Sequence, residues 1–276
     1  MSADLTVAGG FATLGPELVE LRAQLDRRFV SWAHDCGAAA WIFPPLLLVS
    51  DLDGIDYFDS FPHLGLVAGT IEEARLASYA RDEAIPVIPG SDLSACEHVL
   101  PSAACYAAYF HLRGTKLEAL KRITTVATCF RNEREYSGLQ RLRGFTMREI
   151  ICIGPAEAVM AHLTAFRERI QTFCASLDLG VEIQVATDPF YRKDDPRVAM
   201  QRLFPVKEEF VYGGSVAFAS LNYHRNFFGE RCALTTADGS PAFTSCVAFG
   251  IERWLHALLD RFQTTTAATT ALLVAP

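Results

Sequence analysis

Apolar residues recur at helical spacing in two long stretches of the chain, and each stretch has a recognisable boundary. Residues 16–35 predict an amphipathic helix that is stopped by Gly37. A second long helix opens at Pro155, because proline is favoured where a helix begins. The apolar stripes are Leu18, Leu21, Leu25, Phe29 and Trp32 in the first helix, and Val159, Leu163, Phe166, Ile170 and Phe173 in the second.

Shorter signals mark two further helices and a tail. Thr70 and Glu73 have the spacing of a capping box, which predicts a helix start at this point. Another helix is expected over about 250–262, at the end of the patterned part of the chain. The Thr/Ala-rich stretch 264–270 that follows is expected to be a loose C-terminal tail.

Between the helices, runs of β-branched and aromatic residues predict strands joined by hairpin-like loops. Because the helices are grouped elsewhere, this order favours an α+β fold over a βαβ repeat. The expected architecture is an antiparallel sheet flanked by helices. The strand candidates are 123–131, 144–153, 181–186, 208–212, 215–223 and 241–249.

The composition is typical of a globular protein with a substantial core, with 276 residues, 50% of them apolar and 21% charged. Apolar runs stay well short of the roughly 20 residues that span a bilayer, and no secretion signal is visible. We therefore expect no membrane association and a cytoplasmic location. Neither a repeat nor a linker divides the chain, which predicts a single domain over 1–276. The net charge of −7 gives no overall attraction to nucleic acid.

The eight cysteines are scattered without CxxC pairs, so the sequence indicates neither a zinc ribbon nor a compact disulfide framework. We expect most of them to be reduced core residues. The chain also lacks a Rossmann glycine fingerprint and a Walker loop. A nucleotide site in this protein therefore needs another design.

The stretch 128–150 has the pattern of a strand, a polar loop and a second strand. The side chains on one face of these strands could bind ATP. A guanidinium can hold the α-phosphate bidentately, and an aromatic ring can stack on adenine. A hairpin with a solvated basic loop is the alternative interpretation. By the two-residue period of strands, the shared faces carry Cys129, Arg131 and Glu133 on the first strand, and Phe145, Met147 and Glu149 on the second.

A second informative stretch, 243–254, runs from a strand through Gly250 into a helix. Arg253 then lies beside the helix N-terminus, where a positive side chain supplies donors for phosphate oxygens. Gly250 allows a close approach of the backbone to a nucleotide. The alternative interpretation is a core strand that enters a helix without any ligand.

These two stretches resemble motifs 2 and 3 of class II aminoacyl-tRNA synthetases. The resemblance implies an enzyme that activates an amino acid with ATP and Mg²⁺, with Arg131 and Arg253 as its catalytic residues. Ala248 departs from the family pattern, which commonly has glycine there, and this difference would narrow the nucleotide site. The ATP-binding residues that the resemblance implies are Arg131, Glu133, Arg141, Phe145 and Arg253, with Arg143 as a rival of Arg141.

The first long helix and the segment 41–45, which ends in Pro44 and Pro45, resemble motif 1 of the same class. That motif is weaker in sequence than the other two. In the class it usually forms the interface of a homodimer, so the resemblance implies a symmetric dimer through about 18–48.

The resemblance narrows to methanogen-type seryl-tRNA synthetase cores, and among these to their truncated homologues, the amino acid:carrier protein ligases. It covers roughly 20–262. It implies glycine or alanine as the substrate, bound by Ser102, Ala103, Asn222 and His224. The segments that carry it are 60–63, 100–105 and 220–229, with lesser matches at 188–190 and 207–209.

Seryl-tRNA synthetases carry a large N-terminal region that grips tRNA, whereas motif 1 begins here almost at once. An acidic core without such a region suits a protein-borne acceptor better than tRNA. The resemblance therefore implies transfer to the phosphopantetheine thiol of a small acidic carrier protein, without tRNA. A compact seryl-type enzyme that charges tRNA and a non-catalytic paralogue that binds an amino acid are the alternatives.

The same family implies Zn²⁺ held by two cysteines and a glutamate, with an open position for the substrate's amino group. Cys105, Glu149 and Cys246 lie at the matching places. Thiolate and carboxylate ligands suit Zn²⁺ in a site of this kind. The alternative is that both cysteines are small buried hydrophobes. Rival ligands are Cys129, His63, His98 and His224.

Overall fold

The central sheet has seven strands in the computed structural model, which describes residues 5–80, 84–192 and 194–276. Short two- and three-stranded sheets surround it. The strands of the described residues are β1 (Leu5–Ala8), β2 (Phe11–Leu14), β3 (Ala39–Ala40), β4 (Leu47–Leu48), β5 (Leu66–Ala68), β6 (His98–Leu100), β7 (Lys116–Leu117), β8 (Lys121–Phe130), β9 (Gly144–Gly154), β10 (Val181–Val185), β11 (Lys207–Tyr212), β12 (Val216–Arg225), β13 (Thr235–Thr236) and β14 (Phe243–Gly250).

The central sheet has the order β10, β11, β12, β14, β9, β8, β3. Its pairs are antiparallel except for the pair β3–β8, which is parallel. The long strands β9 and β14 lie in the middle, so they can be covered on both faces. The α+β fold expected from the sequence is confirmed.

The helices differ in length according to the face that they cover. Long helices lie on one face, and short ones lie between loops on the other. The α-helices of the described residues are α1 (Pro16–Asp35), α2 (Val49–Asp53), α3 (Tyr57–Ser60), α4 (Glu73–Tyr79), α5 (Tyr106–His111), α6 (Ala156–Ser176), α7 (Pro196–Leu203), α8 (Phe227–Arg231), α9 (Ile251–Phe262) and α10 (Thr265–Val274). None of the helices in these parts of the chain is long and apolar enough to cross a membrane.

Alternation along the central strands produces two cores. Ile150 and Val247 join the core under α1, α6, α9 and α10, while their neighbours Ile151 and Cys246 join the second core. The second core contains residues of the short elements α2, α5 and α8. Because the helices over this face of the sheet are short, they leave a cavity over β9, β12 and β14.

α1 begins and ends where the pattern predicts, and α6 begins directly after Pro155 as expected. α1 spans Pro16–Asp35, and Gly37 adopts a left-handed φ of +77° just after it. The apolar stripe that predicted α6 is confirmed, since Val159, Phe166 and Ile170 are buried.

Two local predictions are wrong. The expected capping box does not form, because α4 begins after Glu72 and has no side-chain cap. The expected tail over 264–270 is instead the start of α10, whose first turn is capped by the Thr264 hydroxyl accepting from the Ala267 N–H. Alanine favours helix, and the helix is held by its buried face and by Arg28, which donates to the carbonyl oxygens of Leu272 and Ala275.

Candidate active site and metal centre

A cavity of about 1070 Å³ lies on the face of the sheet opposite the long helices. It gathers side chains from β9, β12 and β14, from the turn before α5 and from the loop after β8. Phe145 lines a smaller adjoining cavity of about 70 Å³ together with Arg131 and Arg253. The remaining predicted site residues line the large cavity: Ser102, Ala103, Cys105, Arg131, Glu133, Arg141, Glu149, Asn222, His224, Cys246 and Arg253.

Within the cavity, Cys105, Glu149 and Cys246 converge. One donor atom from each lies within 4.8 Å of the others, and all three side chains are buried. Register explains the convergence, because Ala248 of β14 pairs with Glu149 of β9. Cys246 is two residues from Ala248 and therefore shares its face. Cys105 arrives from the turn that leads into α5.

The Glu149 carboxylate is held at one oxygen and left open at the other. Its Oε1 accepts a hydrogen bond from the Ala104 N–H at 2.8 Å, next to Cys105 in the chain. Its Oε2 is buried and has no hydrogen-bond partner. Since a buried carboxylate oxygen without a partner is costly, this atom is suited to a cation.

The two thiols resist ionisation while no cation is near. The hydrogen bond to Cys246, burial and the Glu149 charge raise the pKa of Cys105 well above its ordinary value. For Cys246, the hydrogen bond with Cys105 lowers the pKa, but burial and Glu149 outweigh it and raise the pKa to about 11. A bound divalent cation would reverse this balance, because it stabilises thiolates directly. The donor set of two sulfurs and one oxygen therefore fits zinc.

The rival ligands lie outside this group of close donor atoms. Cys129 is fully buried and does not line the cavity. His63 lines the cavity without belonging to the group, and His98 does neither. His224 is adjacent to the group, with its Nε2 3.8 Å from the Sγ of Cys246.

Asn222 and His224 approach Cys246 from β12. Asn222 pairs with Cys246 in the sheet, and its Nδ2 lies 3.5 Å from the Cys246 Sγ. The same Nδ2 donates to the Ser220 Oγ at 3.0 Å. Burial lowers the pKa of His224 to about 4, so its imidazole is neutral at pH 7.

At the other end of the cavity, Arg131 is held by the backbone and by a ring. Its Nε and Nη2 donate to the Ser102 carbonyl at 3.3 and 3.2 Å, and its guanidinium lies 5.1 Å from the Phe145 ring centre. β8 ends at Phe130, so Arg131 and Glu133 follow the strand rather than alternating along it. The predicted shared face of Cys129, Arg131 and Glu133 is therefore wrong, although Arg131 and Glu133 still reach the cavity.

The loop between β8 and β9 distinguishes between two arginines. Arg141 forms an ion pair of 2.9 Å with Glu133, and both line the cavity. Arg143 instead donates to the Tyr136 hydroxyl at 2.7 Å and does not line the cavity. Of the two rivals, Arg141 is the one placed beside the candidate nucleotide site.

Arg253 enters from the first turn of α9. Its Nε donates to the Gln140 carbonyl and its Nη1 to the Ala217 carbonyl, each at 2.8 Å. Burial and the positive charge of Arg131 lower its pKa from the ordinary value. The two cations thus face one space, which would favour a polyanion between them. Ala248 lies beside them and lines both cavities.

Sequence reasoning missed some of the cavity wall near α7. Arg197 lines the cavity and forms ion pairs of 2.7 Å with Asp59 and Asp195. The signal was present, since Asp195 followed by Pro196 is a typical helix start, and the Asp195 carboxylate caps α7. Tyr109 of α5, which contacts His224, had no distinguishing pattern.

Comparison with known proteins identifies the family to which this chain is similar. Residues 104–262 match the family described as tRNA synthetase class II core domain (G, H, P, S and T). Two relatives from Bradyrhizobium diazoefficiens are named amino acid–acyl-carrier-protein ligase 1 and 2. The first is 32% identical over 253 residues, covering 85% of this chain and 75% of the relative. The second is 36% identical over 233 residues, covering 76% and 66%.

Among solved structures, M. kandleri SerRS in complex with A. aeolicus tRNASec superposes with a TM-score of 0.77 at 19% identity. The match covers 94% of this chain and 55% of that chain, so the protein spans about half of the length of this structural relative. The chain therefore belongs to the class II tRNA synthetase core family, and within it to the amino acid–acyl-carrier-protein ligases. The family expected from the sequence is confirmed.

Proposed function

We propose that this protein activates a small amino acid, glycine or alanine, with ATP and transfers it to the phosphopantetheine thiol of a carrier protein. The observation that carries the proposal is the single cavity with two chemically different ends. One end holds the Cys105, Glu149 and Cys246 donors, and the other holds Arg131 and Arg253. An amine and a polyphosphate would thus be bound in one space.

At the donor end, Cys105, Glu149 and Cys246 would hold Zn²⁺. Three protein ligands leave a position at which the metal can bind the amino group of the substrate. Ser102, Ala103, Asn222 and His224 would surround the amino acid. Support comes from the open Oε2 of Glu149 and from the choice of sulfur and oxygen donors.

At the arginine end, Arg131 and Arg253 would hold the phosphates of a bent ATP, with Mg²⁺ on the leaving pyrophosphate. Phe145 would stack on adenine, and Glu133 and Arg141 would line the part of the cavity next to the adenine. The substrate carboxylate attacks the α-phosphate, the bond to the β-phosphate breaks, and pyrophosphate leaves. Preorganised positive charge at the α-phosphate would lower this barrier without a general base.

In the second step, the carrier thiol attacks the carbonyl carbon of the aminoacyl adenylate. A thioester forms, the bond to AMP breaks, and the thiol proton leaves to solvent. A carrier protein as acceptor is supported by the names of the two relatives, and its small size and acidic charge are part of the proposal for this chain.

Metal analysis tests the donor end. Purified protein should contain about one zinc per chain, and Cys105→Ser or Cys246→Ser should remove it together with amino acid activation. Cys129→Ser is the matched control, because Cys129 is equally buried but lies outside the cavity. Serine variants that keep zinc, or an active wild type without metal, would contradict this site.

Acceptor choice tests the second step. Labelled amino acid and ATP are mixed with the protein and with either a pantetheinylated carrier protein or total tRNA. The proposal predicts hydroxylamine-sensitive label on the carrier and none on tRNA. Label on tRNA alone would favour the compact tRNA-charging enzyme, and absence of any adenylate would favour a non-catalytic paralogue.

A further inference from the structure

His224 lies next to the three donor atoms without being one of them. Its Nε2 is 3.8 Å from the Sγ of Cys246, yet it is not part of the group whose donor atoms all lie within 4.8 Å of one another. The ring therefore faces one ligand of the group from outside. This is the position from which a side chain orients a ligand rather than binding the metal itself.

The opposite edge of the ring is held by two hydroxyl groups. The Nδ1 of His224 lies 3.3 Å from the Tyr109 hydroxyl and 3.2 Å from the Thr244 Oγ1. Tyr109 and Thr244 are fully buried. Phe228 meets the imidazole edge-on, with ring centres 5.0 Å apart. The ring plane and its direction are thereby fixed by packing on several sides.

The backbone of β12 is irregular at His224. The pairing of β12 with β14 shifts between Tyr223 and Arg225, so His224 is the extra residue of a β-bulge. Arg225 then takes a φ of 53°, in the left-handed region that is unfavourable for residues other than glycine. A regular strand would avoid this conformation. By the two-residue period of strands, His224 shares the face of Asn222, which pairs with Cys246, and the bulge lies at this point of the strand.

The chemistry of the neighbours determines which nitrogen of His224 carries the proton. A metal-bound Cys246 is a thiolate and can only accept hydrogen bonds. The ring nitrogen that faces the thiolate must therefore carry a proton, so Nε2 donates to Cys246 while Nδ1 faces the Tyr109 and Thr244 hydroxyls. Asn222 supplies a second N–H to the same sulfur at 3.5 Å.

We propose that His224 is a positioning residue of the metal centre, which donates its Nε2–H to the Cys246 thiolate and fixes the direction of that ligand. The proposal rests on the zinc site of the proposed function. An N–H directed at sulfur stabilises the thiolate and holds its lone pair toward the metal. Loss of this donor therefore weakens metal binding without removing a ligand.

The test compares zinc affinity, measured by competition with a chromophoric chelator, among wild type, His224→Phe and His224→Gln. His224→Phe should bind zinc about 10-fold to 100-fold more weakly, as is usual when an outer partner of a ligand is lost. His224→Gln retains an N–H near the position of Nε2 and should recover most of that loss. His34→Gln, on the exposed side of α1, is the control and should match wild type.

Cobalt substitution provides a readout that does not depend on activity. Removing the N–H in His224→Phe should move the thiolate-to-cobalt charge-transfer band to lower energy, because the sulfur becomes more electron-rich. Should His224→Phe fail to fold, Tyr109→Phe serves instead, since it removes one hydroxyl that holds Nδ1. It should show a smaller loss of zinc affinity in the same direction.

The possible outcomes distinguish the role of His224 from the existence of the zinc site. A folded His224→Phe, or Tyr109→Phe in its place, with wild-type zinc affinity and an unshifted cobalt band would overturn the role of His224 and leave the zinc site standing. A wild type that binds no zinc would overturn both.

Discussion

Single arginines carry the charge that the proposed chemistry needs. Arg131→Ala and Arg253→Ala should each lower amino-acid-dependent pyrophosphate exchange by about 100-fold or more, because removal of one preorganised charge costs this much at comparable sites. The fold should remain intact, since neither side chain forms an ion pair within the part of the chain that the structure describes: Arg131 bonds to the Ser102 carbonyl, and Arg253 bonds to the Gln140 and Ala217 carbonyls. Circular dichroism and a thermal melt check the fold beside the exchange assay.

Arg261→Ala is the control for these two variants. Arg261 lies on the same helix as Arg253 but pairs with Asp178 at the surface, at 2.7 Å. It should keep wild-type exchange. Near-normal exchange in Arg131→Ala or Arg253→Ala would refute the placement of ATP between these arginines.

His162 predicts a pH dependence of stability that is separate from catalysis. Burial and the positive charge of Arg122 lower its pKa to about 4, whereas the unfolded value is about 6.5. The unfolded state therefore binds more protons between these values, so stability is fully present above pH 6.5 and falls as pH drops toward 4. Between pH 7 and pH 5, the wild type should lose about 1–2 kcal/mol more than His162→Gln. Urea unfolding of both proteins measures this, and parallel pH profiles would contradict it.

The pattern of residues along the sequence predicts only part of the metal site. Alternation along β9 places Glu149 and Met147 on one face, and resemblance to a family singles out Cys105 and Cys246. The distances between them depend on the register that places Ala248 opposite Glu149, which no local pattern encodes. For the same reason, Cys129 stays a rival in sequence and is excluded from the donor group only by the structure.

Helices and strands with a long apolar stripe can be predicted from the sequence. Short elements, and elements that depend on tertiary packing, cannot. α1, α6 and the central strands follow from periodicity, because their burial patterns extend over many residues. α10 was missed because it lacks an amphipathic pattern and is stabilised by packing against α1 and α9. The capping box at Thr70 failed because local spacing does not ensure that a helix begins there.

The contact between α8 and β14 gives a prediction at this level. A Cβ added at Gly229 of α8 would lie 2.1 Å from the carbonyl oxygen of Ala242, just before β14. Gly229→Ala should therefore destabilise the protein by about 1–3 kcal/mol or more in urea unfolding, because backbone cannot move as a side-chain tip can. Gly180→Ala is the control, since a Cβ there meets no atom within 4 Å. Equal stability of the two variants would contradict the close packing of α8.

For the molecule as a whole, we propose a single catalytic domain that forms a symmetric dimer through the segment 18–48. Ile42 is 95% exposed, and Leu48 and Val67 are exposed on one three-stranded sheet. Such an apolar surface favours a partner copy. Light scattering at micromolar concentration should give a dimer mass, and Ile42→Glu should shift it toward monomer. Val185→Glu, at an exposed site in β10, should not; a monomeric wild type would contradict the proposal.

Amino-acid-dependent exchange of labelled pyrophosphate into ATP tests the central claim most directly, since it requires both ends of the cavity and no acceptor. The purified, zinc-containing protein is assayed with single amino acids in the absence of tRNA and of carrier protein. We predict exchange with glycine or alanine, and little with larger side chains. Folded, metal-loaded protein that catalyses no exchange with any amino acid would contradict an adenylating function for this cavity.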